Sequence, residues 1–595
     1  MWVVLGLSIL PLLWACRPEA IEPPATRAGR EANGAGTATV ATTEKAVVVH
    51  EQETVQVVTT STPTPLPEGG FVRRATYVDA QTLNPILAAD PGSTTFLALM
   101  FEGMLRVDPF TGEWVPNFAE KWTVSVDGRT YTFVLRQDLQ WSDGQPITAY
   151  DFYYSYAALL NGKLDTPNVA RVANIERIRV VDDHEVAVTF AQAGCSNLDS
   201  LQIGWLPIHA LTDDPGSYDW GELALHEFNS APTVFSGPFL LGAWERGRQW
   251  LQVRNERYWR GAPHLEGIIT TVLGGQAEMV QQLEAGALDL GSGFDPQYLA
   301  AIEPVSHLRL YRFLSDEYEF LGFQLGDPED PQPRLMGDGT PNTAHGEHPI
   351  LQDVRVRQAI AYALDVQALI DEARLGEGMR LAANVLPTVS WSYNTDLAPR
   401  EHDPERARAL LEGAGWVLDG AGEVRVRAGQ PLRLRLYTNI GNVIRETMAD
   451  LIRAQLAEVG IAVEVRAIEW HAFLGVLYGQ SFDLVLVSWS NLGTQAHDEG
   501  FWTAEQDVPG EGSNFVSYYD PEVEQLYEQA RGLADCDQDA RAEVYRQIQA
   551  HLYEDQPYCW LDVPRKLVAI HSRVGGANPG PWSIWYNVHE WYIVE

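Results

Sequence analysis

Cysteine is scarce in this chain, with only Cys16, Cys195, Cys536 and Cys559 among 595 residues. That excludes a disulfide-stapled scaffold, because a chain of this length can bury cores that need no covalent staples. Cys536 and Cys559 flank a helix-like stretch, Asp539 to Tyr553, which if straight spans roughly 20 Å, beyond disulfide reach. A pairing of Cys195 with Cys559 stays open. Lysine is as rare, limited to Lys45, Lys121, Lys163 and Lys566. This is a compositional bias and identifies no function. Apolar runs long enough to span a membrane, about twenty residues, are missing. Enzyme signatures are missing too: there is no GxxxxGK[ST] phosphate loop, no HExxH and no GxSxG elbow. Basic charge is outweighed, with 80 acidic against 42 basic residues and a net charge of −38. Such a surface repels phosphates and anionic headgroups, so nucleic acid is not an expected partner.

What is present begins with a short apolar run, Trp2 to Ala15, that ends at Cys16. It is too short and proline-interrupted for a membrane span and reads as the apolar part of a secretory signal. The Leu13-Trp14-Ala15-Cys16 ending resembles a bacterial lipobox, which implies lipidation of Cys16 and a membrane anchor. From Arg17 to about Gly70 the chain is rich in Ala, Thr, Pro, Glu and Gly. Such a composition cannot bury enough apolar surface to offset its ordering entropy and predicts a tether.

Beyond Gly70, strand-like and helix-like segments alternate. Tyr131 to Trp141, His184 to Phe190 and Arg433 to Thr438 read as strands. Ala149 to Leu160, Asp353 to Asp365, Asp403 to Trp416 and Glu446 to Gly460 carry helical spacing. Mixed α/β architecture with short linkers follows. His345 and His348 have a spacing that suits two metal ligands but lack a third, and they read as a solvated loop. His497-Asp498 reads as a polar loop pair. No metal and no cofactor is expected.

Six landmarks then fall in order. They are Thr82 to Pro85, Phe101 to Leu105, Pro116 to Phe152, Ser236 to Trp259, Asp353 to Asp365, and Phe482 to Trp489. They resemble the peptide/nickel, oligopeptide-type (family 5) solute-binding proteins of ATP-binding-cassette importers. The resemblance implies a type II periplasmic-binding-protein fold with two lobes and an extra domain inserted in the first. Carried over, a signal peptide with lipobox spans 1–16 and a tether 17–69. The first lobe is 70–108 with 236–312 and 557–595, the inserted domain 109–235, and the second lobe 313–556. Crossing strands near Leu310–Phe323 and Pro557–Val563 act as hinges.

The ligand-binding residues this implies are Ser488, Trp489, Ser490, Leu492, Asn439, Asp498 and Pro91. The strand end at Trp489 offers backbone groups to an extended ligand. Oligopeptide binders carry an Asp three residues after this Trp, where Leu492 stands here, so Asp498 is the substitute if it swings in. An ungapped comparison puts Leu486, Leu477 and Ile444 where such binders hold basic groups. Trp391, Trp502, Trp582 and Trp585 are candidate stacking faces. The function implied is that of a monomeric, non-enzymatic lipoprotein handing a small ligand, peptide or oligosaccharide, to permease subunits. Its alternatives are a secreted hydrolase with a hidden carboxylate pair and a sensor subunit that presents its ligand.

Overall fold

Polar residues at the ends of apolar-periodic runs start the helices. Thr148 and Asp151 form a capping box at the helix Ala149–Leu160. Asp353 caps Val354–Ala363, Asp403 caps Pro404–Gly413, and Asn442 caps Val443–Glu458. Their side-chain oxygens accept from amides that the first turn leaves without partners. The computed structural model describes residues 66–386, 391–418, 420, 422–490, 498–533 and 537–594. The signal segment with Cys16, the tether up to residue 65, Leu492, His497 and Cys536 lie outside the described residues. No described helix is long and apolar enough to cross a membrane.

One long strand, Tyr558–His571, organises the body. Its first part pairs antiparallel with Tyr318–Phe323, and its second part with Leu308–Leu314 and Leu290–Ser292. On one side the sheet continues through Leu484–Trp489, Arg433–Asn439 and Ala462–Ile468. On the other it continues through Phe71–Thr76, Gly267–Val272, Gln249–Arg254 and Phe239–Glu245. A separate four-stranded antiparallel sheet is built from Ala119–Val124, Thr130–Leu135, Glu185–Phe190 and Ile175–Asp182. Its core also takes in Ile86, Phe96, Phe101 and Trp250, so it packs continuously onto segments that flank it in sequence. Separate apolar clusters cover the two ends of the large sheet.

Cys559 is a free, buried thiol, so neither of the pairings considered for it forms. Burial pushes its pKa up to about 12, which leaves it unreactive. The histidines near residue 345 correct the solvated-loop expectation. His348 is 2% exposed, contacts Asp483 at 3.2 Å, and its Nδ1 accepts from the amides of Ile350 and Leu351. These bonds satisfy a buried imidazole as part of the core.

Two buried carboxylates fasten distant segments. Asp289 is held by Arg73 at 2.9 Å and Arg573 at 2.6 Å. Asp483 is held by Arg435 at 3.0 Å as well as by His348. Burial alone would raise both pKa values, but hydrogen bonds from these partners and the arginine charges hold them below the usual range. A depressed carboxylate stabilises the fold above its unfolded pKa, about 4, and loses that contribution as pH falls through the folded value. Stability should therefore fall below about pH 4. Asp289→Asn and Asp483→Asn should each flatten that acid limb in urea-midpoint profiles, and an unchanged limb would contradict this.

Candidate ligand-binding site

Parallel strands Arg433–Asn439 and Leu484–Trp489 end side by side, and their carboxyl ends carry Asn439 and Ser488. Ligands in open α/β sheets settle at such ends. The helix Val443–Glu458 begins there as well, after Gly441 takes φ +89°, where a side chain would be strained. Arg445 thus stands in the first helical turn, facing back over both strand ends. A cavity of about 520 Å³ opens at this point. Its lining includes Asn439, Arg445, Ser488, Arg374, Glu317 and Glu319, together with Gln276 and Asp295 from a segment earlier in the chain. Ile440 and Val443 form an exposed apolar lip.

A buried ionic network makes the floor. Arg445 donates to Glu319 (2.7 Å), to Asn439 Oδ1 (2.8 Å) and to Ser488 Oγ (2.7 Å). Arg374 donates to the other oxygen of Glu319 at 2.9 Å. Glu319, Arg374 and Arg445 are each less than 10% exposed. Charges this far from water persist only when paired and hydrogen-bonded. Glu317 lies beside them with its pKa raised, chiefly by burial and then by the charge of Glu319.

Of the residues the sequence singled out, the structure brings Asn439 and Ser488 together at this cavity. Trp489, next to Ser488, turns into an aromatic stack. Its ring lies 3.9 Å from Phe501 at an interplanar angle of 5°, and its Nε1 donates to Tyr558 Oη at 3.2 Å. Ser490 is exposed at the strand end. Pro91 is exposed at the start of the helix Pro91–Leu97, beside a different depression that Asp90 lines.

Three expectations need correction. Asp498 is 4% exposed, and its carboxylate accepts from Trp502 Nε1 (2.9 Å), Tyr527 Oη (3.1 Å) and Asn384. Burial raises its pKa. Swinging it towards a ligand would break these bonds and orphan buried donors, so it is a core group. Trp502, fully buried beside it, is core packing and no open stacking face. Leu486 and Leu477 are core residues as well, so the ungapped comparison does not describe the cavity wall. Ile444 does line the cavity, but its neighbour Arg445 supplies the cationic group there. Arg445 escaped sequence reasoning because the helix was expected to begin at Glu446, which leaves it in a loop. Arg374 and Glu319 escaped because their mutual contact and that of Glu319 with Arg445 join positions 55 and 126 apart. Among the described residues no cluster of three or more His, Cys, Asp or Glu is placed to hold a metal.

Known proteins agree with this architecture. The chain is 24% identical over 536 residues to the oligopeptide-binding protein AppA of Bacillus subtilis, covering 89% of this chain and 92% of that protein. It is 24% identical over 514 residues to the nickel-binding periplasmic protein of Escherichia coli, covering 85% and 91%. Among solved structures, AppA from Bacillus subtilis in complex with a nonapeptide superposes with a TM-score of 0.68 at 23% identity, covering 89% of this chain and all of that one. NikA from Brucella suis in complex with Fe(III)-EDTA gives 0.73 at 23% identity, covering 88% and 100%. These likenesses show a type II periplasmic-binding-protein fold. The family model for bacterial extracellular solute-binding proteins, family 5 (middle), matches residues 113–507. The chain therefore belongs to the family 5 bacterial extracellular solute-binding proteins.

Proposed function

We propose that this chain is an extracytoplasmic solute-binding lipoprotein, anchored at Cys16. It captures a small extended ligand, peptide-like or oligosaccharide, and delivers it to the permease subunits of an ATP-binding-cassette importer. The observation that carries this reading is the cavity itself. It is walled by Gln276 and Asp295 before the crossing strand Tyr318–Phe323, and by Arg374, Asn439, Arg445 and Ser488 after it. The first lobe would comprise 70–108, 236–312 and 557–595, the inserted domain 109–235 and the second lobe 313–556, with the crossing strands as hinges. Closing about them buries a ligand from both sides. Hydrogen-bonding groups at the floor and apolar groups at the lip suit a polar, extended molecule. The similarity to AppA, solved in complex with a nonapeptide, supports a peptide-like ligand.

Native mass spectrometry of the full chain, purified without denaturation, tests the reading. One carried small molecule per chain, released unaltered by unfolding, is expected. A ligand-free protein that turns over peptide or glycan would contradict it. Anchoring is tested separately. The wild-type chain should partition into detergent, and Cys16→Ser should release it, whereas a wild-type protein with an unmodified thiol at Cys16 argues against lipidation.

A further inference from the structure

Asp562 has no exposed surface and stands on the long crossing strand, directly opposite Glu319 of the other crossing strand. Like charges in register repel, and Arg374 is wedged between them. Its Nε lies 2.7 Å from Asp562 Oδ2 while its terminal nitrogen binds Glu319. Arg374 holds Asp562 chiefly by charge, since neither carboxylate oxygen has a partner in well-aligned hydrogen-bond geometry. A β-bulge between Glu319 and Phe320 brings the two carboxylates to this point. Gly378 leaves room for the second of them, since a Cβ there would come within 2.7 Å of Asp562 Oδ2. Arg445 then connects Glu319 to Asn439 and Ser488 at the cavity floor. Ion pairs thus run unbroken from the cavity to both crossing strands.

We propose that closing of the lobes is linked to protonation of Asp562, so that the cleft shuts with a proton taken up from solvent and reopens with its release. The inference rests on the two-lobed reading above. The groups around Asp562 decide its sign. Glu319 and Glu317 repel its charge, Arg374 attracts it, and Arg445 acts through Glu319. Arg380 is its register partner on the strand Gly378–Arg380, but turns its guanidinium to the carbonyls of Pro399 and Arg400. Glu377, on the outer side, is engaged by Arg312 and Arg565. Three carboxylates against two guanidiniums leave one negative charge in excess. Closing removes water from the wall where Glu317 and Glu319 face the cavity, and that excess becomes more costly. A proton on Asp562 relieves it. Burial already lifts this carboxyl to about 7, so the exchange falls at neutral pH.

Small-angle scattering of the full chain, dialysed free of ligand and titrated from about pH 5.5 to about 8.5, tests the link. The radius of gyration should fall as pH drops through about 7. Asp562→Asn should lose that transition. Glu317→Gln, which sits at the cavity wall and should fold whatever becomes of Asp562→Asn, should move it to lower pH. A radius that does not change with pH, or a transition that either variant leaves where it is, overturns the proposal. A flat ligand-free profile in a protein that still contracts on its carried ligand removes the proton link alone. Failure to contract under both conditions removes the two-lobed reading with it.

Discussion

Replacing Arg445 by alanine is expected to destabilise the protein by about 3–5 kcal/mol and to weaken ligand capture by about two orders of magnitude or more. The guanidinium satisfies Glu319, Asn439 and Ser488 together. Without it, the largely buried Glu319 keeps only Arg374 as a cationic partner. Breaking a buried ionic network from one side leaves an uncompensated charge, which costs more than the pair contributes when intact. Binding should suffer as well, because Asn439 and Ser488 lose the group that orients them. Pairing Arg445→Ala with Glu319→Gln in a double-mutant cycle should show strong non-additivity. Urea denaturation monitored by tryptophan fluorescence, with calorimetry on the carried ligand, checks both effects. A variant of wild-type stability and affinity would show that the floor does not depend on this residue.

Asp498→Ala should be equally damaging to stability, by about 4 kcal/mol, and should leave affinity within a few-fold of wild type. Three donors, from Trp502, Tyr527 and Asn384, converge on this buried carboxylate. Removing it orphans each at about 1–3 kcal/mol. The expected signature is a lowered urea midpoint with an unchanged dissociation constant below the transition. A large loss of affinity at full stability would return Asp498 to the ligand and contradict its assignment to the core.

These two residues show what the sequence disclosed and where it stopped. Regular elements were legible because caps and periodicity are local. Ala149–Leu160 and the strand into Trp489 appear where the pattern put them. The order of six motifs was enough to identify the family. The cavity floor was not legible, because it depends on one helix start. Capped by Asn442, the helix begins at Val443, three residues before Glu446, which turns Arg445 from a loop residue into the centre of the network. Leu486, on the strand Leu484–Trp489, and Leu477, on the helix Trp470–Tyr478, stand near the cleft in sequence but are buried in the core, and their burial depends on packing partners distant in sequence. Burial of Asp498 and His348 was hidden for the same reason. Their partners lie 29 and 135 positions away for Tyr527 and Asp483, and no local pattern announces such pairs.

The central claim is that the chain closes around a ligand held between Asp295 and Arg445. Small-angle scattering tests it most directly, with the same protein measured stripped of its carried ligand and again after the eluted ligand is returned. The radius of gyration should contract on return of the ligand in the wild type and stay at the stripped value in Arg445→Ala. Identical profiles for stripped and refilled wild-type protein, with the ligand shown by calorimetry to be bound, would contradict the account.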